Sequence, residues 1–175
     1  MALVLDGSLA AASIRLQIAE EVKAYVAKGH RAPGLVAILV GEDGASQTYV
    51  GAKKTACDEV GYAGDVRRFP ASITEEALLE EIEKINQDES IDGLIVQLPL
   101  PKHISEEKVT QAILPGKDVD GFHDINMGKL AKGDEAGVKP ATPYGITLLM
   151  KHYGIEANGK HVVVVGRSNI VGRPM

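Results

Sequence analysis

The chain has 175 residues and a formal net charge of −5, with 45% hydrophobic, 25% charged and 4% aromatic residues and no tryptophan. That balance suits a soluble α/β protein of one domain or one and a fraction. It opposes a phosphate-backbone binder, which needs a basic surface, and a stacking platform for single-stranded nucleic acid. Cys57 is the only cysteine, so an intrachain disulfide is excluded and a cysteine metal site is implausible. No apolar run approaches the roughly 18 residues of a membrane span and no signal-peptide pattern opens the chain, so the cytoplasm is the expected compartment.

Residues Leu9–Ala27 place Ile14, Ile18, Val22 and Val26 at i, i+4 spacing and predict an amphipathic helix, ended by Gly29 and Pro33. Leu35–Val40 is a continuous apolar run of strand length, as for a strand buried on both faces. GEDGAS then makes a turn with Ser46 as N-cap of a helix that carries Tyr49 and Lys53 on one face. Asp65–Phe69 is a weaker, polar strand. A helix with a Ser72–Glu75 capping box follows, with Leu78, Ile82 and Ile85 inward.

Ile91–Leu98 reads as the strongest strand after the first, stopped by PLP at 99–101 because proline cannot donate to a ladder. A short helix is expected over Ser105–Ile113. Residues 115–137, rich in Gly, Asp and Lys, read as a hinge with functional turns. Next comes a helix from TPYGITLLMKHYGI, with Thr142 as N-cap and Pro143 at its first position. Residues 161–165, HVVVV, are expected as a strand that ends at Gly166 and turns toward a helix. Strands alternating with helices imply a parallel sheet.

Three features invite a functional reading beside a plain one. The stretch GRSNIVGRP after a buried strand is either an ordinary strand-to-helix turn or the opening of a nucleotide-binding unit, in which Gly166 and the following N–H groups hold a phosphate. Ser168 stands where the dinucleotide fingerprint has its second glycine, while Arg167 and Arg173 suit the extra phosphate of NADP. Gln97 interrupts GLIVQLPL at the carboxyl end of a strand, where open α/β sheets place ligands. Burying its amide unpaired costs about 1–3 kcal/mol, so it bonds either a local group or a ligand or catalytic group. Asp118 and Asp120 before Gly121 most commonly mean a turn with Asx-type bonds, and the remaining ligand positions of an EF-hand are missing.

The Tyr49–Lys53 pair is weak on spacing alone, with five tyrosines and thirteen lysines in the chain. Its chemistry is specific: a lysine acts as a base near neutral pH only after its proton affinity falls by about 2–3 pH units, which burial in a cleft can supply. The short-chain dehydrogenases share the Y-x-x-x-K pattern, but their glycine-rich turn precedes it, and here Gly166 follows it.

Taken in order, VGEDGASQTYVGAKKTACDEVG, DGLIVQLPLP, PGKDVDGFH, KPATPYGI and VVVVGRSNIVGRPM resemble the bacterial bifunctional methylenetetrahydrofolate dehydrogenase/methenyltetrahydrofolate cyclohydrolases, the FolD family, over the whole chain. The resemblance implies an N-terminal three-layer α/β catalytic domain with a parallel sheet (1–118), hinge and substrate-binding turns (119–138), and the start of a Rossmann-type NAD(P)-binding domain (139–175). It implies NADP-dependent oxidation of methylenetetrahydrofolate, then hydrolysis of methenyltetrahydrofolate to the 10-formyl derivative used in purine biosynthesis. Lys53 would be the general base and acid, Tyr49 would stack on the folate, and Gln97 would hydrogen-bond Lys53. Val96, Leu98, Pro99 and Asp120 would contact the folate, with Asp120 on the pterin. Gly166, Arg167, Ser168, Ile170 and Val171 would line the NADP pocket, no metal being required.

Family members are longer and form homodimers on the dinucleotide domain. The resemblance therefore implies a fragment, or a chain without most of its NADP site and the late Pro/Gly-rich closing loop. Such a chain alone is expected to oxidise methylenetetrahydrofolate poorly. The alternative is a fragment confined to cyclohydrolysis or to folate binding. KDVDGFH and QLPLP argue against a dehydrogenase of some other substrate.

Overall fold

A computed structural model describes residues 3–175. Three parallel strands form one sheet in the order β2–β1–β3: β1 (Gly34–Val40), β2 (Ala63–Phe69) and β3 (Gly93–Val96). The helices are α1 (Gly7–Ala27), α2 (Gly44–Val60), α3 (Glu75–Gln87), α4 (Glu106–Ala112), α5 (Asp124–Ala131) and α6 (Ala141–His152). The α/β class expected from the sequence is what the chain adopts. Among the described residues no helix is long and apolar enough to cross a membrane.

Strand alternation divides the core. Val36, Ile38 and Val40 of β1, with Leu94 and Val96 of β3, face α3 and α4 and pack on Leu78, Ile82, Ile85 and Val109. Ala37, Leu39 and Ile95 face the other way, onto Val50 of α2, with Leu35, Val66 and Val119 at the margin. The two clusters sandwich the sheet between helical layers, and β1 is buried on both faces as its unbroken apolar run requires. Along α1 only Ala10 and Val22 are buried; Ile14 and Ile18 are half-buried and Val26 is exposed.

Three helix starts differ from expectation, each because a better partner lies nearby. Asp43, not Ser46, caps α2: its carboxylate accepts from Ser46 N and Oγ, both at 2.8 Å, and an anion suits the helix N-terminus better than a hydroxyl. Thr74 caps α3, because residues 71–72 are taken up in a turn closed by Ile73 N on the Pro70 carbonyl. The expected box residue Glu75 reaches instead to Ser105 N and Lys108 Nζ, clasping α3 to α4. Helix α6 starts at Ala141 with Pro140 at the cap and Pro143 buried two residues on. Its leading N–H bonds the Asp120 carbonyl at 3.3 Å, so no threonine side chain is required.

Two further expectations are corrected. The hinge 115–137 contains α5, capped by His123 Nδ1 on Ile125 N. Residues 161–165 form no strand, and the helix expected after Gly166 is a turn. A strand needs a neighbour for its N–H and C=O groups, and none of the three strands lies beside this segment. Val162 to Val165 are consequently exposed.

Candidate functional site

The central strand β1 and its neighbour β3 end near one another. Gln97 follows β3 directly and donates its N–H to the Ile38 carbonyl at 2.9 Å. Period-two alternation from Ile95 sends the Gln97 side chain to the α2 face. There Lys53 Nζ, from the middle of α2, donates to Gln97 Oε1 at 3.1 Å, and Gln97 Nε2 donates to the Leu98 carbonyl at 2.7 Å. The amide thus serves both a local and a catalytic-type partner, answering the cost of burying it.

Asp120 completes the group from a third direction. The Leu94 N–H donates to the Lys117 carbonyl at 2.7 Å, and Leu94 bridges to Asp118, which lays 117–120 along the free edge of β3. The approach is close: a Cβ on Gly93 would stand 2.6 Å from Val119 Cγ1. Burial pushes the Asp120 carboxyl above its ordinary pKa, the Lys53 charge pulls it back, and the Asp118 charge adds to the rise. Asp120 and Lys53 therefore share one electrostatic neighbourhood.

The remaining site residues fall into three groups. Tyr49 stands one turn before Lys53 on α2 and is 65% exposed, open to a flat ligand. Val96 is buried in the larger core and can offer a ligand only its backbone, while Pro99 is exposed after a cis Leu98–Pro99 peptide. Leu98 packs against the larger core and shares a cavity of about 440 Å³ with Phe122, Asn169, Ile170 and Arg173. That cavity brings a residue assigned to the folate side next to one assigned to the cofactor side. A cavity of similar size, about 460 Å³, lies at the amino ends of the strands between α1 and Asp92 and has none of these residues in its lining.

The Gly166 turn is less ready. Gly166 has φ +144, and Gly166, Arg167 and Ser168 are exposed. Ser168 Oγ accepts from Val171 N at 3.2 Å and Gly172 N at 3.3 Å, so the two amides that would cradle a phosphate point inward. In this structure the Ser168 hydroxyl occupies both amides.

Sequence reasoning missed Asn126, which is 2% exposed and bonds three separate segments. Its only sequence signal was a polar residue between the apolar Ile125 and Met127 in a stretch that reads as linker.

The sequence matches two family models: the catalytic domain of tetrahydrofolate dehydrogenase/cyclohydrolase over residues 5–120, and the NAD(P)-binding domain of the same family over 140–175. It is 51% identical to the bifunctional protein FolD of Flavobacterium johnsoniae, over 98% of this chain and 58% of that protein. The fold superposes on the crystal structure of the bifunctional FolD dehydrogenase/cyclohydrolase of Campylobacter jejuni with a TM-score of 0.95, at 44% identity over 99% of this chain and 61% of that one. It also matches the Trypanosoma brucei dehydrogenase-cyclohydrolase, crystallised with NADP cofactor and inhibitor, with a TM-score of 0.93 at 37% identity, over 99% of this chain and 59% of that one. The chain spans about three fifths of the length of these relatives. It belongs to the tetrahydrofolate dehydrogenase/cyclohydrolase family.

Proposed function

We propose that this chain carries the folate-binding and cyclohydrolase machinery of a bifunctional methylenetetrahydrofolate dehydrogenase/methenyltetrahydrofolate cyclohydrolase, together with the opening of its NADP-binding domain. The observation that carries the reading is the Lys53 Nζ–Gln97 Oε1 bond beside the half-buried Asp120. Cyclohydrolysis needs one group that removes a proton from water and returns it. As the water oxygen adds to the bridging carbon of methenyltetrahydrofolate, Lys53 takes a proton. As the bond from that carbon to N5 breaks, Lys53 gives it to N5, and the second water proton leaves to solvent. Gln97 holds the amine at the sheet edge, Asp120 meets the pterin N–H groups, and Tyr49 covers the ring. Val96, Leu98 and Pro99 line the floor through backbone and apolar surface.

NADP, when bound, accepts the hydride of the preceding oxidation. Gly166, Arg167, Ser168, Ile170 and Val171 are the residues of this chain that we assign to it. The division into 1–118, 119–138 and 139–175 is supported by the bounds of the two family matches. We read the whole protein as a cytoplasmic homodimer that serves purine biosynthesis and binds neither nucleic acid nor membrane. The single cysteine and the acidic composition support the compartment and the exclusion of nucleic acid.

The test is hydrolysis of 5,10-methenyltetrahydrofolate by the wild type and by Lys53→Ala. The expected result is a wild-type rate that falls by about 10²–10⁴ in the variant, the usual worth of a positioned acid–base group. An unchanged rate in Lys53→Ala would remove the assignment.

A further inference from the structure

We propose that Asn126 is the positioning residue for Asp120, acting through a buried Asp118–Asn126 pair that fixes the turn on which Asp120 stands. The inference rests on the folate reading above.

Both partners are almost inaccessible, Asp118 at 2% and Asn126 at 2% exposure. A buried carboxylate is tolerated only where donors converge on it. Asp118 Oδ2 receives two: Asn126 Nδ2 at 2.9 Å and His123 N at 2.8 Å. Asn126 spends its other groups on the two flanks of the same loop. Nδ2 also donates to the Pro115 carbonyl at 2.9 Å, and Oδ1 accepts from Val138 N at 3.2 Å. One side chain therefore ties the entry to the Asp120 loop, its acidic centre and the strand of chain that leaves toward α6.

Between these anchors Asp120 has little freedom. Its own carbonyl accepts from Ala141 N, and Gly121, at φ +70, presses against Lys139 and Pro140 so closely that a Cβ would stand 2.7 Å from their backbone atoms. The backbone of residue 120 is thus held on both sides, while its carboxyl lies within reach of the Lys53 charge. An aspartate in place of Asn126 would set two carboxylates together and remove two N–H donors at once. Asp118 meets the sheet through its bridge to Leu94, whereas the Asn126 side chain bonds only Pro115, Asp118 and Val138, so Asn126 can be altered without removing a strand pairing.

The 175-residue chain is compared as wild type, Asn126→Ala, Asn126→Asp and the swapped pair Asp118→Asn with Asn126→Asp. The first measurement is binding of 5-formyltetrahydrofolate at a temperature where circular dichroism shows each protein folded. The second is the carboxyl titration of Asp120 by carbon-detected NMR, which requires no ligand. The single variants are expected to bind about tenfold more weakly, the size that follows when a buried carboxylate loses one of two donors. Their Asp120 titration should move down toward the ordinary carboxylate range as the turn loosens and burial is lost. The swapped pair restores an N–H···O bond between 118 and 126 but not the one to the Pro115 carbonyl, so it should recover part of both losses relative to Asn126→Asp, and it decides the matter if Asn126→Ala does not fold.

Single variants that lose only thermal stability, with binding and the Asp120 titration unchanged, would overturn the positioning role. A wild type that binds no 5-formyltetrahydrofolate would overturn the folate reading instead, and the titration would still decide whether Asn126 positions Asp120.

Discussion

Lys53 Nζ and Gln97 Oε1 lie 3.1 Å apart although 44 residues separate them, because parallel pairing of β3 with β1 carries Gln97 to the sheet edge that α2 overhangs. The amide oxygen accepts a hydrogen bond from the amine without taking its proton. Gln97→Glu replaces that neutral acceptor with a carboxylate, which favours the ammonium and so withholds the base. The expected outcome is a cyclohydrolase pH–rate profile displaced toward alkaline pH by about one pH unit, with reduced activity near neutrality. A profile that stays in place would separate Gln97 from the proton carrier.

Asp120→Asn tests the opposing demands of stability and function. The folded-state pKa of Asp120 is raised, so between the unfolded value and that raised value the folded chain binds more protons than the unfolded one. Stability from this group is then fully present at low pH and falls as pH rises through that window, remaining lower above it. The amide has no charge to desolvate. Asp120→Asn should therefore unfold at a higher temperature than the wild type at pH 7 and lose that advantage below the unfolded carboxyl pKa, while 5-formyltetrahydrofolate binding weakens by about tenfold or more. Equal melting temperatures at both pH values would contradict the burial assigned to Asp120.

Much of this arrangement is legible in the sequence, and the failures are instructive. The apolar runs that became β1 and β3 declare their burial, and counting by two from Ile95 brings Gln97 to the α2 face. Local chemistry misled where another group competed for the same helix start. Asp43 outbid Ser46 as a cap, and the Asp120 carbonyl served α6 where Thr142 was expected to. Composition hid α5, since DINMGKLA has the Gly, Asp and Lys of a linker, and with it Asn126. The valines 162–165 have strand propensity but no strand beside them, and propensity without a hydrogen-bonding neighbour makes no ladder.

The Arg67–Glu81 pair joins β2 to α3 and gives a pH dependence of the other sign. Burial pushes the Glu81 carboxyl up, but hydrogen bonds and charge from Arg67 and Lys84 outweigh it, and the net shift is downward. A depressed folded-state value means stability that is present above the unfolded pKa and is lost as pH falls through the folded one. Glu81→Gln should cost about 1–2 kcal/mol at pH 7 by urea denaturation, the worth of a partly buried charged hydrogen bond. The difference should shrink to nothing in acid, where the wild-type carboxyl is itself protonated.

The exposed valines make a prediction about the chain in solution. Val163 is 71% and Val165 98% exposed in a β-branched run whose backbone groups face no strand among the described residues. Unpaired apolar edges of this kind template association. Sedimentation of the 175-residue chain should show concentration-dependent self-association that Val163→Lys together with Val165→Lys reduces, with the melting temperature little changed. Sedimentation identical for both proteins would mean that the segment is covered in solution.

Gly121→Ala carries the argument for a pinned turn to its sharpest point. The residue sits at φ +70, where an L side chain is strained, and the added Cβ would meet Lys139 C and Pro140 N at 2.7 Å. Backbone atoms cannot step aside as a flexible side chain would, so the turn or the start of α6 has to move. A strained left-handed alanine alone costs about 1–2 kcal/mol. The clash adds to it, so a loss of about 2–4 kcal/mol in urea denaturation is expected if the turn stays in place. If the turn instead relaxes, the loss will be smaller but Asp120 will leave its position, and 5-formyltetrahydrofolate binding will weaken by about tenfold or more. Either loss follows from the contact between Gly121 and Pro140; a variant with both stability and binding intact would show that nothing holds the turn there.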